Sequence, residues 1–289
     1  MTRIVEHLSE ISANYDAMFV DLWGCVHNGR EPFLEAVAAL TAYRESGGIV
    51  VLLTNAPRHR HSVAAQLAKM GVSEDCWDTI TTSGDSARAA MYRGVVGSKV
   101  FHIGEPHDQS FFDPLKIIED PVEITQTPLE DAEGIICTGP FDPLADPSDL
   151  RPQLLYAKQK RMKLLCANPD IVVDRGETRE WCAGAIAALY TEMGGESLYF
   201  GKPHPPIYDL ARRRLAQIAN VSDDRILCIG DGMATDVRGA MGEDLDSLFI
   251  TGGLAAAETL TKHQPDPDAL NALLDKEKIA PTYSIGFLR

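Results

Sequence analysis

Short apolar runs and amphipathic stretches alternate along the chain. Ala17 to Val20 (AMFV), Ile49 to Leu53 (IVVLL) and Arg225 to Ile229 (RILCI) have the near-continuous hydrophobicity of strands buried on both faces. Between them the spacing turns helical. Leu34, Val37, Leu40 and Tyr43 share one face of a helix expected over Leu34 to Arg44, which Gly47 and Gly48 stop. A second helix, His61 to Met70, closes at Gly71, and Asp78 to Thr82 reads as a further short strand. Strands alternating with helices predict parallel pairing in an open α/β sheet.

The middle of the chain repeats the alternation with its own elements. Lys99 to Ile103 (KVFHI), Gly134 to Cys137 (GIIC) and Lys163 to Ala167 (KLLCA) are strand-like, and the last runs into Asn168-Pro169-Asp170. Helices are expected over Asp149 to Lys160 and Ala183 to Met193, with a Pro- and Asp-rich loop from Pro140 to Pro147. The last third returns to the first pattern: a helix over Pro206 to Ala219, a helix opening at Val237 to Met241, and a closing strand at Leu248 to Ile250. The expected organisation is a core of residues 1–83 and 195–289, with a second α/β unit of residues 84–194 inserted at a surface loop, where insertion is easily tolerated.

Composition narrows the partners. The 289 residues carry a formal net charge of −15 and a pI near 4.9. So acidic a surface repels phosphate backbones, which argues against nucleic acid. A small anionic ligand would need local positive charge to approach, which makes a metal-assisted site attractive. The six cysteines form no C-x-x-C pair, and several sit in apolar runs as small hydrophobes, which fits a reducing compartment. MTRIVEHLSEIS does not read as a signal peptide, and no apolar run approaches the roughly 20 residues of a membrane helix. A soluble, cytoplasmic protein with no membrane partner is expected.

In open α/β sheets ligands bind beyond the carboxyl ends of the strands. Three apolar strands end there on polar residues: Asp21, Thr54 and the pair Gly230-Asp231. A loop ahead of a helix adds Gly201-Lys202-Pro203. Two carboxylates, a hydroxyl and an ammonium suit metal-assisted phosphoryl transfer: carboxylates hold Mg²⁺, the donors hold phosphoryl oxygens, and a carboxylate can attack phosphorus. Each element alone is an ordinary turn or cap. Their order and spacing carry the reading.

That set resembles the haloacid dehalogenase superfamily over nearly the whole chain. FVDLWGCV is similar to its first motif, VVLLTN to the second, GKPHPPIY to the third and IGDGMATDVRGA to the fourth. The insertion between the second and third motifs, with ANPD and CAGAI, resembles the subgroup with a large α/β cap, subclass IIA, which includes sugar, nucleotide and p-nitrophenyl phosphatases. The resemblance implies a Rossmann-like parallel-sheet core, an inserted cap, and hydrolysis of a small phosphorylated metabolite such as a sugar phosphate or nucleotide. It implies that Asp21 forms an aspartyl-phosphate, and that Mg²⁺ is held by Asp21, the carbonyl of Trp23 and Asp231, with Asp236 orienting that shell or binding the metal through water. Thr54, the N–H of Asn55 and Lys202 would stabilise the transferring oxygens. Arg58, with His59, Arg60 and His61, gives the loop after Thr54 local positive charge, and Asn168 and Asp170 are the expected cap contacts to substrate. The resemblance also leaves room for a homodimer.

One position departs from the family. Its phosphatases usually carry a second aspartate two residues after the nucleophile, where it protonates the leaving group. Here that residue is Trp23. Indole offers only an N–H donor, and general acid–base catalysis typically contributes about 10²–10⁴-fold. Slow turnover, or a preference for good leaving groups, is the expectation. Trp23 could pack over the site or stack on substrate, and His27 is a nearby candidate to supply the proton. Two rival readings follow: a phosphate-ligand binder without turnover, and a metal-independent dehalogenase.

Overall fold

The strands of the computed structural model are, in chain order, β1 (Arg3–Ile4), β2 (Ala17–Val20), β3 (Ile49–Thr54), β4 (Thr79–Thr82), β5 (Lys99–Ile103), β6 (Thr125–Gln126) and β7 (Gly134–Cys137). They continue with β8 (Lys163–Cys166), β9 (Val172–Arg175), β10 (Thr178–Trp181), β11 (Glu196–Tyr199), β12 (Ile226–Gly230), β13 (Asp246–Ile250) and β14 (Tyr283–Ile285). Every apolar run singled out in the sequence forms one of them. The structure describes residues 2–114, 120–175 and 178–289. Two compact units divide the chain: a core of Met1–Thr54, Ala64–Thr81 and Tyr208–Arg289, and an inserted unit of Asn55–Val63 and Thr82–Ile207.

The core holds a seven-stranded sheet in the order β1-β14-β13-β12-β2-β3-β4. The pairs from β1 through to β3 are parallel. From β2 the chain winds outward through β3 and β4, and later returns to lay β12 on the other side of β2. The winding direction reverses between β12 and β2, which makes their carboxyl ends the topological switch point where such sheets bind ligands. β2, β3 after its first residue, and β12 are buried throughout, as expected of central parallel strands.

The inserted unit has a five-stranded parallel sheet, β11-β8-β7-β5-β6, and an antiparallel hairpin of β9 and β10. Alternate side chains feed two apolar layers. Ile135, Cys137, Leu164 and Cys166 face one, and Val100, Ile136 and Leu165 face the other. All six cysteines are buried free thiols, so the small-hydrophobe reading holds. Burial pushes the thiols of Cys137, Cys166 and Cys182 up, which keeps them protonated.

Three helices correct the sequence reading. Along α1 (Leu34–Glu45) the buried stripe is Ala36, Leu40 and Tyr43, while Leu34 is 74% exposed in the first turn. α2 (Arg60–Met70) begins one residue earlier than expected. α3 (Ser83–Tyr92) was not foreseen, because SGDSARAAMY lacks an apolar stripe. Thr82 caps it by accepting from the Asp85 N–H, and small residues let nearly every position bury. Among the described residues, no helix is long and apolar enough to cross a membrane.

Candidate active site

Asp21 is the first residue beyond β2, and its N–H donates to the Ile229 carbonyl at 2.8 Å on the neighbouring β12. Asp231 leaves the end of β12. Register therefore dictates that the two carboxylates emerge side by side at the switch point. One oxygen of each and the Cys25 sulfur lie within 4.8 Å of one another, and all three residues are buried.

Absent side chains make the room. Gly24 has φ +77°, and a Cβ there would stand 2.2 Å from Asp231 Oδ2. A Cβ on Gly253 would stand 2.0 Å from the same oxygen. The Leu254 N–H then donates to Asp231 Oδ2 at 3.0 Å, which fixes the carboxylate. Asp236 sits on a single π-helical turn, Met233–Val237, and folds back on its own loop. Its Oδ2 accepts from the Gly232 N–H at 3.1 Å and the Thr235 hydroxyl at 3.3 Å. Asp236 thus braces the segment that carries Asp231 and stands outside the Asp21–Cys25–Asp231 group. Thr54, buried, ends β3.

Trp23 lies half-buried in the loop after Asp21. Its ring meets His27 edge-on at 5.4 Å, and a Cβ on Gly29 would stand 2.5 Å from it. Packing within its own loop thus occupies part of the indole. His27, the candidate to supply the proton, is buried. Its Nδ1 accepts from the Gly29 N–H at 3.0 Å, so in the neutral ring Nε2 carries the proton.

In the inserted unit Asn55 is committed to structure through its side chain. The Lys202 N–H donates to Asn55 Oδ1 at 2.7 Å, while Asn55 Nδ2 donates to the Lys202 carbonyl at 3.1 Å and to Asp170 Oδ1 at 2.8 Å. The carboxamide pairs with the Lys202 backbone as a strand would, and locks the Gly201-Lys202-Pro203 loop. A Cβ on Gly201 would stand 2.5 Å from Asn55 Oδ1 and 2.6 Å from both Pro169 Cδ and Ser83 Oγ, so only glycine fits. Lys202 itself is buried. Asn168 Oδ1 accepts from the Asp170 N–H at 3.0 Å and shapes that turn. Asp170 and Asn168 therefore both serve the loop scaffold, a task their sequence positions did not disclose.

The loop after Thr54 packs on α3: the Gly84 N–H donates to the Ala56 carbonyl at 3.0 Å, and a Cβ on Gly84 would collide with the Arg58 backbone. Burial lowers the affinity of the Arg58 guanidinium for its proton, and Asp108 opposes that shift. Burial likewise pushes His59 down, although Asp85, 3.7 Å away, pulls the other way.

Buried carboxylates from adjacent strand ends are the hard oxygen donors that Mg²⁺ takes, usually one or two per site alongside water and phosphate. Asp21 and Asp231 fit that ion. Cys25, a soft donor, is not one of its ligands, and sequence reasoning passed it over as a core residue.

The family described as haloacid dehalogenase-like hydrolase matches residues 18–117, and a second, HAD-hydrolase-like, matches residues 199–275. A solved hydrolase of the haloacid dehalogenase-like family from Brucella suis 1330 is 38% identical, covers 99% of this chain and 100% of its own, and superposes with a TM-score of 0.86. A D-glycerol 3-phosphate phosphatase of Mycobacterium tuberculosis is 25% identical over 256 residues, 86% of this chain and 67% of that one. A glycerol phosphate phosphatase from the same organism, solved in complex with magnesium, shares the fold at 23% identity and a TM-score of 0.64, over 98% of this chain and 77% of that one. With the Brucella suis relative 38% identical over its full length, and with the strand ends, motifs and parallel sheets that the resemblance implied, the chain belongs to the haloacid dehalogenase-like hydrolase family.

Proposed function

We propose that this protein is a magnesium-dependent phosphatase of a small phosphorylated metabolite, acting through an aspartyl-phosphate at Asp21. One observation carries the reading: Asp21 and Asp231 emerge together at the switch point of the core sheet, within metal-ligand distance of one another. The glycerol 3-phosphate phosphatase relative supports a substrate of polyol-phosphate size.

Asp21 and Asp231 would hold the ion together with the Trp23 carbonyl, and Asp236 would keep the Asp231 loop in place. Bound there, Mg²⁺ supplies positive charge that offsets the phosphate beside two carboxylates. An Asp21 oxygen attacks phosphorus, the P–O bond to the leaving group breaks, and the alkoxide takes a proton. Water then attacks phosphorus, releases inorganic phosphate and regenerates the carboxylate. By the family resemblance, Thr54, the Asn55 N–H and Lys202 would hold phosphoryl oxygens through both steps. With Trp23 in place of an acidic residue, alkoxide departure is the slow step.

Phosphate release from p-nitrophenyl phosphate and from glycerol 3-phosphate, with Mg²⁺ and with chelator, tests this. Release should require Mg²⁺, and the nitrophenyl ester should turn over faster by about 10²-fold or more, since its leaving group needs no proton. Chloride release from a haloacid without metal would establish the dehalogenase instead. Mg²⁺-dependent binding with no release would establish a binder.

A further inference from the structure

A shallow, solvent-open groove of about 510 Å³ lies within the inserted unit beside the carboxyl ends of β5 and β6. Its volume lies in the range of small-molecule sites. A chain of hydrogen bonds orients one group on its lining. Thr138 Oγ1 lies 2.8 Å from Asp108 Oδ2 and 2.8 Å from His102 Nε2. A hydroxyl has one proton, and the carboxylate is its stronger acceptor. Thr138 therefore donates to Asp108, and its oxygen accepts from His102 Nε2–H. That assigns the tautomer: in the neutral ring, Nδ1 carries a bare lone pair.

The arrangement is built tightly. A Cβ on Gly104 would stand 2.0 Å from Thr138 Oγ1 and 2.6 Å from His102 Nε2, so glycine is required for the contact to form. Phe112 meets the imidazole edge-on at 5.0 Å and holds it from another side. Burial pushes the His102 pKa down against the pull of Asp108, which keeps the ring neutral.

The remaining lining indicates what would fit. Glu105 adds a carboxylate with several acceptor sites. The buried Thr127 hydroxyl has no hydrogen-bond partner among the described residues. Gln126 Nε2 donates to Gln109 Oε1 at 2.8 Å, and the reciprocal contact is 3.5 Å, which leaves an N–H donor on each carboxamide. Phe101 and Phe141, 6.3 Å apart at 66°, offer apolar faces. Among the described residues, no lysine or arginine lines the groove. A carboxylate, an imidazole nitrogen and carboxamide N–H donors thus lie beside aromatic faces, which suits a flat ring bearing both N–H groups and ring nitrogens.

We propose that this groove binds an amine-bearing heteroaromatic ring of the nucleobase type, with its N–H groups directed at His102 Nδ1 and Glu105. Adenine is the probe, and benzoate is a ring of similar size with the wrong charge. Calorimetric titration of the full chain should show saturable 1:1 adenine binding and none for benzoate at about 1 mM. Glu105→Gln, which keeps a side-chain oxygen for the capping box at Glu105 and removes the charge beside His107, should weaken adenine about tenfold, with circular dichroism confirming the fold. Thr138→Val, which releases the imidazole tautomer, should weaken it by a similar factor, with circular dichroism confirming that the variant is folded. A ring that is part of the substrate would make adenine a competitive inhibitor of phosphate release. A separate effector would bind without competing. Absence of adenine binding to the unmodified protein, equal binding of benzoate, or unchanged affinity in Glu105→Gln would overturn the proposal.

Discussion

In the core, Asp231 is placed by clearance: glycines at 24 and 253 leave space that any Cβ would fill, and one backbone N–H fixes the carboxylate. In the inserted unit, Asn55 is placed by saturation: it makes three side-chain hydrogen bonds to two residues. A group placed by clearance is sensitive to added volume. A group placed by saturation is sensitive to loss of a partner. The difference separates a residue proposed to do chemistry from one that shapes a loop.

Gly253→Ala probes clearance and should have the largest effect. Its Cβ must displace the Asp231 carboxylate, and misplacement of a reacting group by about 1 Å costs on the order of 10²-fold. Steady-state kinetics should show kcat/KM falling by about that factor, with half-saturation shifted to higher Mg²⁺ and a thermal midpoint close to the parent's. Unchanged Mg²⁺ dependence would break the clearance account.

Asn55→Ala probes saturation. The Lys202 N–H loses its carboxamide partner at a buried site, and one such orphan costs about 1–3 kcal/mol. Urea denaturation should read that loss. Asn55→Asp should not restore it, because a carboxylate cannot donate to Asp170 or to the Lys202 carbonyl. Full rescue by aspartate would show that the pairing is not what holds the loop.

The smallest expected effect is on pH dependence, and it belongs to the inserted unit. Burial lowers the pKa of His59, His102 and His204 from 6.5, and all three lie there. A lowered pKa means that the unfolded chain binds more protons, so the stabilising contribution is complete above about 6.5 and is lost as the pH falls through the folded values. Melting followed from pH 7.5 downward should drop by a few degrees below about 6.5, and His102→Gln should make that drop shallower. A midpoint that rises on acidification would contradict the sign.

Legibility in the sequence follows the same division. The strands that bear Asp21, Thr54 and Asp231 were readable because buried parallel strands are continuous apolar runs. The fourth motif was readable because glycines and aspartates cluster at one strand end. What could not be read depends on contacts remote in sequence. Gly253 lies far from Asp231 along the chain, and nothing in TGGLAAA announces that its missing side chain clears a carboxylate. Asn55 looked like a turn residue beside Thr54, yet its partners are 115 and 147 positions away. α3 was hidden because small polar residues bury without an apolar stripe. Cys25 was indistinguishable from a core cysteine until register set it beside Asp21.

The central claim is that Asp21 becomes phosphorylated. Rapid acid quench during turnover of p-nitrophenyl phosphate, followed by borohydride reduction and peptide mass spectrometry, reads it directly, because borohydride converts an aspartyl-phosphate to homoserine. Homoserine at position 21, formed only with substrate and Mg²⁺, is the predicted result. Phosphate release with position 21 unmodified, or homoserine at another aspartate, would contradict the account.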